Sequence, residues 1–246
     1  MTDNHSGYLG QQSIRCNVRI LLLHPTPPPE ENEGPLRVPA KTYLLPSTEV
    51  DEVYCLGAPT SYEGPNWKDA AERVKPKVVA KVQWAAANGY AAIVVNCMKD
   101  PGVAAAKKVA AVPVIGIGEA CRSVASLFGE KPASIFPEEI GVLDLAADED
   151  KTYAELLAAG QWNIAKRGVD VLIPNCAFIG GLADRLQSEL GVPVLPNTDI
   201  GLKMAELIAT LNVIPEQPWV AGKRASKRVQ WLSRTAQRLQ RWIPLR

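Results

Sequence analysis

Asn96-Cys97 and Asn175-Cys176 are two thiols in one sequence setting. Gly89 lies eight positions before Cys97 and Gly168 eight before Cys176, and each glycine opens an apolar run that ends at the Asn-Cys pair. A Val-Pro-Val triplet follows each cysteine, Val112-Pro113-Val114 and Val192-Pro193-Val194, at separations that differ by one residue. The match points to duplicated α/β units, each carrying one thiol at the same position. Facing each other, two such groups make an acid/base pair: a thiolate removes a proton and a thiol returns one to the opposite face. A free thiol, with a pKa of about 8.5, is only a few per cent ionised at neutral pH, and a helix N-terminus favours the ionised form. Asp100-Pro101-Gly102 predicts such a terminus beside Cys97, with Asp100 as N-cap and Pro101 at the first helical position. Cys176 is placed alike, before the small residues of 177–181.

Other chemistries find less support. Cys16, Cys55 and Cys121 carry no repeat and read as packing residues. His5 and His24 are the only histidines and there is no Cys-x-x-Cys, so no metal is expected. A nucleophilic pair of His24 with one of the thiols stays open, since His24 ends the first apolar run. Gly116-Ile117-Gly118 never reaches the third glycine of a dinucleotide fingerprint, there is no phosphate loop, and Ser61 lacks a Gly-x-Ser-x-Gly elbow. A net charge of +1 advertises no nucleic-acid partner. Five cysteines, an odd number, imply reduced thiols and a cytoplasmic protein. No signal peptide is recognised at the N-terminus and no apolar run is long enough for stable membrane insertion.

The elements that must hold the thiols alternate between the two periods. Apolar or β-rich runs predict strands at 18–24, 53–58, 91–96, 112–117, 140–145, 169–174 and 192–195, separated by helices at 67–88, 101–110, 118–128, 149–167, 178–190 and 199–211. This rhythm predicts an α/β fold of mostly parallel sheets covered by helices on both faces. Ligands bind beyond the carboxyl ends of such strands, where both Asn-Cys pairs fall. Residues 25–39 hold six prolines and predict a long loop or lid. Residues 219–243 predict an amphipathic helix with Val229, Leu232, Ala236, Leu239 and Ile243 on one stripe. From residue 217 onward there are eight Lys or Arg and no acid, so this helix either docks on the domain or a second subunit, or meets an anionic surface.

The chain resembles the aspartate/glutamate/hydantoin racemase superfamily, and most of all its hydantoin racemase branch. The matching pieces are Cys97-Met-Lys-Asp-Pro-Gly102, Pro113-Val-Ile-Gly-Ile-Gly-Glu-Ala120, Gly57-Ala-Pro-Thr-Ser-Tyr-Glu63, Val142-Leu-Asp-Leu145 and Asn175-Cys-Ala177, within about 18–211. The resemblance implies two pseudo-symmetric three-layer α/β halves: 14–116, completed by C-terminal helices in 197–246, and 117–196. Their active site would lie in the cleft between them. It implies that Cys97 and Cys176 are catalytic, acting from opposite faces of the substrate's stereocentre without a metal or organic cofactor. His24, Thr26, Ser61, Asn96, Met98, Asn175, Ala177 and Phe178 would form the substrate pocket. The expected activity is racemisation or epimerisation of a hydantoin-like or amino-acid-like small molecule by a homo-oligomer. A maleate-type cis/trans isomerase, a decarboxylase of the superfamily and a non-catalytic binding module are the alternatives. The chain departs from the family's usual pattern in three places. His24-Pro25-Thr26 stands for Asn-Pro-Asn, Phe178 and Ile179 add bulk after Cys176, and the stretch between Phe128 and Leu143 is short by about one strand-and-helix unit.

Overall fold

Val18-Arg-Ile-Leu-Leu-Leu-His24 is apolar on both faces, so it needs cover on both sides of a sheet. The structure, a computed structural model, describes residues 18–28, 43–60, 66–137, 140, 144–145 and 148–211. In it, β1 (Val18–His24) lies between β2 (Thr48–Tyr54) and β3 (Ala92–Val95), with β4 (Val114–Gly116) beyond, all parallel. A second parallel pair joins β5 (Pro132–Ile135) to β6 (Val171–Pro174), extended by a bridge from Leu172 to Val194.

Period-2 alternation sorts the side chains into three cores. Leu21, Leu23, Ile93 and Val95 pack beneath α1 (Trp67–Ala87) and α2 (Val103–Val109). The opposite face, Ile20, Leu22, Ala92 and Val94, meets Val171 and Ile173 of β6 in one central core, filled by α3 (Ile117–Ala125) and α6 (Asn197–Thr210). Leu172, Ala133 and Ile135 turn the other way, towards α4 (Glu149–Arg167) and α5 (Ala183–Leu190). The helices show why they form where they do. Ala70, Val74, Val78, Val82 and Ala85 make the buried stripe of α1, and α4 runs from an Asp148 side chain accepting Lys151 N at 2.9 Å to Gly168 at φ 64°.

The duplicated template reappears in the backbone. Ile93 N donates to Pro113 O at 2.9 Å, and Leu172 N donates to Pro193 O at the same distance. Asn96 N donates to Leu23 O and Asn175 N to Ile135 O, each at 2.8 Å. β5 therefore stands to β6 as β1 stands to β3. Among the described residues the second sheet has no counterpart of β2.

Several expectations need correcting. The strand expected at 53–58 lies at Thr48–Tyr54. The strand beside β6 is Pro132–Ile135, not 140–145; of the latter only Ile140, Asp144 and Leu145 are described, and Leu145 lies in a turn. The helix expected at 178–190 is a 3-10 segment at Ala177–Leu182 followed by α5, because Gly180 and Gly181 interrupt it. Ser61, the helix expected at 219–243 and most of the proline-rich stretch lie outside the described residues.

Candidate active site

Both Asn-Cys pairs follow the carboxyl ends of their strands, Asn96-Cys97 after β3 and Asn175-Cys176 after β6. The four described cysteines, Cys55, Cys97, Cys121 and Cys176, form no disulfide with one another; Cys97 and Cys176 are half-buried, while Cys55 and Cys121 are buried. Burial pushes the Cys97 thiol up to about 12. The Lys99 backbone N–H and ammonium oppose that rise, and the Asp100 carboxylate adds to it. Cys97 is thus a protonated thiol at neutral pH in this state. Cys121, deep in the central core, is likewise pushed up to about 12 by burial, the Asp100 charge adding to it.

Asp100 does not cap α2. That helix begins at Val103 with Gly102 as N-cap, and the Asp100 side chain turns instead to the start of α3. There Oδ1 accepts Gly118 N at 2.8 Å and Oδ2 accepts Arg122 Nη2 at 2.8 Å. This explains the glycines of Gly116-Ile117-Gly118. A Cβ on Gly116 would stand 2.1 Å from Asp100 Oδ1, and one on Gly118 only 2.3 Å from Met98 O. Cys97-Met-Lys-Asp-Pro-Gly and Gly-Ile-Gly-Glu are therefore two halves of one interlocked unit. Glu119 completes it by accepting Gly116 N at 3.1 Å and pairing with Lys107.

The other expected site residues divide. His24 is buried at the end of β1; its ring stacks on Tyr54 at 4.3 Å, Nε2 meets Glu52 Oε2 at 3.3 Å and Nδ1 lies 3.5 Å from Asn96 Nδ2. Among the described residues the ring's partners are Tyr54, Glu52 and Asn96. Asn96 Oδ1 accepts the Thr198 hydroxyl at 2.8 Å. Thr26 contributes a backbone carbonyl that accepts Cys55 N at 2.9 Å. Met98 is buried in the central core. Ala177 and Phe178 are half-buried in the first turn after Cys176, and Asn175 is half-buried beside it.

The residues that the sequence reading missed are Asn197 and Thr198, both fully buried at the start of α6. The Asn197 amide donates to Pro174 O at 2.9 Å and to Cys176 O at 2.6 Å, while its Oδ1 accepts Thr198 N at 2.7 Å. One helix start thus holds the backbone around Cys176 through Asn197 and the side chain of Asn96 through Thr198. The signal was available: α3 and α6 begin at Ile117 and Asn197, five positions after the first valine of each Val-Pro-Val.

The family model "Asp/Glu/Hydantoin racemase" matches residues 43–136. A hydantoin racemase of Rhizobium meliloti is 32% identical over 195 residues, covering 69% of this chain and 77% of the relative. The chain belongs to the Asp/Glu/hydantoin racemase family. It thereby falls in the racemase class of isomerases. A second hydantoin racemase, from Pseudomonas sp. (strain NS671), is 27% identical over 178 residues, 62% of this chain and 68% of that one. Among solved structures the fold is shared with allantoin racemase from Klebsiella pneumoniae: TM-score 0.69, 21% identity, 83% of this chain and 96% of the other. Allantoin racemase from Pseudomonas fluorescens gives a TM-score of 0.70 at 18% identity, covering 83% of this chain and 100% of that one. No helix among the described residues is long and apolar enough to cross a membrane.

Proposed function

We propose that the protein racemises a hydantoin-like or amino-acid-like small molecule by proton transfer between Cys97 and Cys176. The observation that carries this reading is the pair of half-buried thiols at equivalent strand ends, with Asn96 of one arm and the Cys176 backbone of the other bound to the start of α6. The proton removed lies α to a carbonyl. Its loss leaves an enolate-like anion, whose charge needs hydrogen-bond donors at fixed positions. Asn175, half-buried beside Cys176, and the backbone N–H groups of the Ala177 turn are the donors this reading assigns to it. Asn96 is held by Thr198 and His24, so its part is to shape the first arm.

In the substrate-free state the Cys97 thiol keeps its proton, which makes it the donor in one direction. Cys176 as thiolate takes the proton from one face of the stereocentre, and Cys97 gives its own to the other. The product then leaves with the two protonation states exchanged, and proton exchange of the free enzyme's thiols with solvent resets them. The bonds broken are the stereocentre's C–H and the Cys97 S–H, the bonds formed are the C–H on the opposite face and the Cys176 S–H, and no electron is gained or lost. Because the two groups share a site, their titration belongs to the pair.

The test is chiral chromatography of optically pure 5-substituted hydantoins, allantoin included, and of free amino acids, each corrected for spontaneous racemisation. Enzyme-dependent conversion from both enantiomers, lost in Cys97→Ser and Cys176→Ser, is the expected result. Absence of conversion with all of these substrates would remove the reading.

A further inference from the structure

Each copy of the template closes a latch between the loop after its cysteine and the helix that follows the next strand, and the two latches are built in opposite senses. In the first, the side chain comes from the loop: Asp100 reaches the start of α3, where Gly116 and Gly118 leave room for it. In the second, the side chain comes from the helix: Asn197 reaches back to Pro174 O and Cys176 O, and Gly180 in the loop leaves the room. A Cβ on Gly180 would stand 2.3 Å from Asn197 Oδ1. The Asn197 side chain is fully buried with both amide hydrogens and its oxygen engaged, so it has one satisfied orientation. Thr198, next in sequence and equally buried, turns its hydroxyl to Asn96 Oδ1 of the other arm at 2.8 Å, with Asn197 Oδ1 a longer second acceptor at 3.3 Å.

From this geometry we infer that Asn197 and Thr198 are positioning residues that set the two cysteine arms separately, Asn197 the Cys176 arm and Thr198 the Asn96-Cys97 arm. Because they are neighbours in the first turn of α6, one helix start bears on both arms. The inference rests on the two-thiol reading for its catalytic meaning, and on hydrogen bonds alone for its structural one. Asn197→Asp keeps the shape but sets a carboxylate oxygen against two carbonyl oxygens. Thr198→Val keeps the shape and leaves Asn96 Oδ1 without its donor.

The experiment needs no substrate. Wild type, Asn197→Asp, Thr198→Val and Thr198→Ser are alkylated with iodoacetamide, and the rates at Cys176 and Cys97 are read separately by peptide mass spectrometry. Asn197→Asp should change the Cys176 rate, and Thr198→Val the Cys97 rate, each by roughly fivefold relative to the other thiol, the shift that loss of one hydrogen bond of about 1 kcal/mol allows. Thr198→Ser, which restores the hydroxyl, should restore the wild-type ratio. Equal changes at both thiols, or none, would overturn the assignment; if Asn197→Asp fails to fold, the two Thr198 variants decide it. Selective rate changes in a protein without racemase activity would remove the racemase reading and leave the positioning role standing.

Discussion

Asp100→Ala strikes the latch of the first cysteine arm, and its cost can be built from the contacts it removes. The Gly118 N–H loses a charge-assisted acceptor at 2.8 Å, worth about 1.5–3 kcal/mol. The Arg122 contact adds at most about 1 kcal/mol, since that guanidinium is largely exposed. Asp100 has φ 50°, and alanine in that left-handed region costs about 1 kcal/mol. Burial raises the Asp100 pKa, so removing its charge returns part of this loss, and a net destabilisation of about 2–4 kcal/mol follows. Asp100→Asn keeps the acceptor for Gly118 and tolerates the same φ, so it should cost about 1 kcal/mol or less. It also removes a negative charge that raises the Cys97 pKa. Cys97 in Asp100→Asn should therefore alkylate faster at pH 8, by roughly threefold, because a lower pKa gains thiolate while losing some nucleophilicity. Urea unfolding of the three proteins measures the first pair of effects and peptide-resolved alkylation the second. Equal destabilisation by Ala and Asn, or slower alkylation in the Asn variant, would refute the latch.

Gly180→Ala forces a methyl group towards a pinned amide oxygen and should destabilise by roughly 1–3 kcal/mol in a melt or urea titration. Asp199, in the first turn of α6, is raised to about 6 by burial and by the neighbouring Asp184 charge. Its folded-state pKa lies above the unfolded one, so the stability it contributes is present below about pH 4 and is lost as pH rises through about 6. Asp199→Asn should therefore stabilise the protein near pH 8, by about 1 kcal/mol after allowance for solvent screening, and leave it unchanged near pH 4; melting curves at the two pH values decide this. The alkylation rate of Cys97 should climb with pH without reaching a plateau below about 10, as a thiol raised to about 12 requires.

Where both faces of a strand are buried, composition alone was enough. β1 lies at 18–24 and α4 at 149–167, as their apolar runs and end signals predict. The edge strands were hidden by the same logic. β2 reads Thr-Glu-Val-Asp-Glu-Val-Tyr and buries none of its residues fully, and β5 is four residues long with Pro132 and Ser134 exposed. Asp100 was assigned to the nearest helix because capping is a local rule, whereas its partner Gly118 lies 18 residues away across a strand. Asn197 and Thr198 escaped notice because a buried asparagine is recognised by what it binds, Pro174 and Cys176 carbonyls more than 20 residues away. The repeat marks the start of α6 but not the side chain, because the second arm's latch carries its side chain on the opposite partner from the first.

The proposed mechanism places two thiols on opposite faces of one stereocentre. It is tested most directly by solvent-deuterium incorporation at the α-carbon of separate D- and L-5-substituted hydantoins, in wild type, Cys97→Ser and Cys176→Ser. Exchange from both enantiomers is expected in wild type, with loss of exchange mainly from one enantiomer in each variant, a different one for each. Exchange that survives in both variants, or that falls equally for both enantiomers in each, would contradict it.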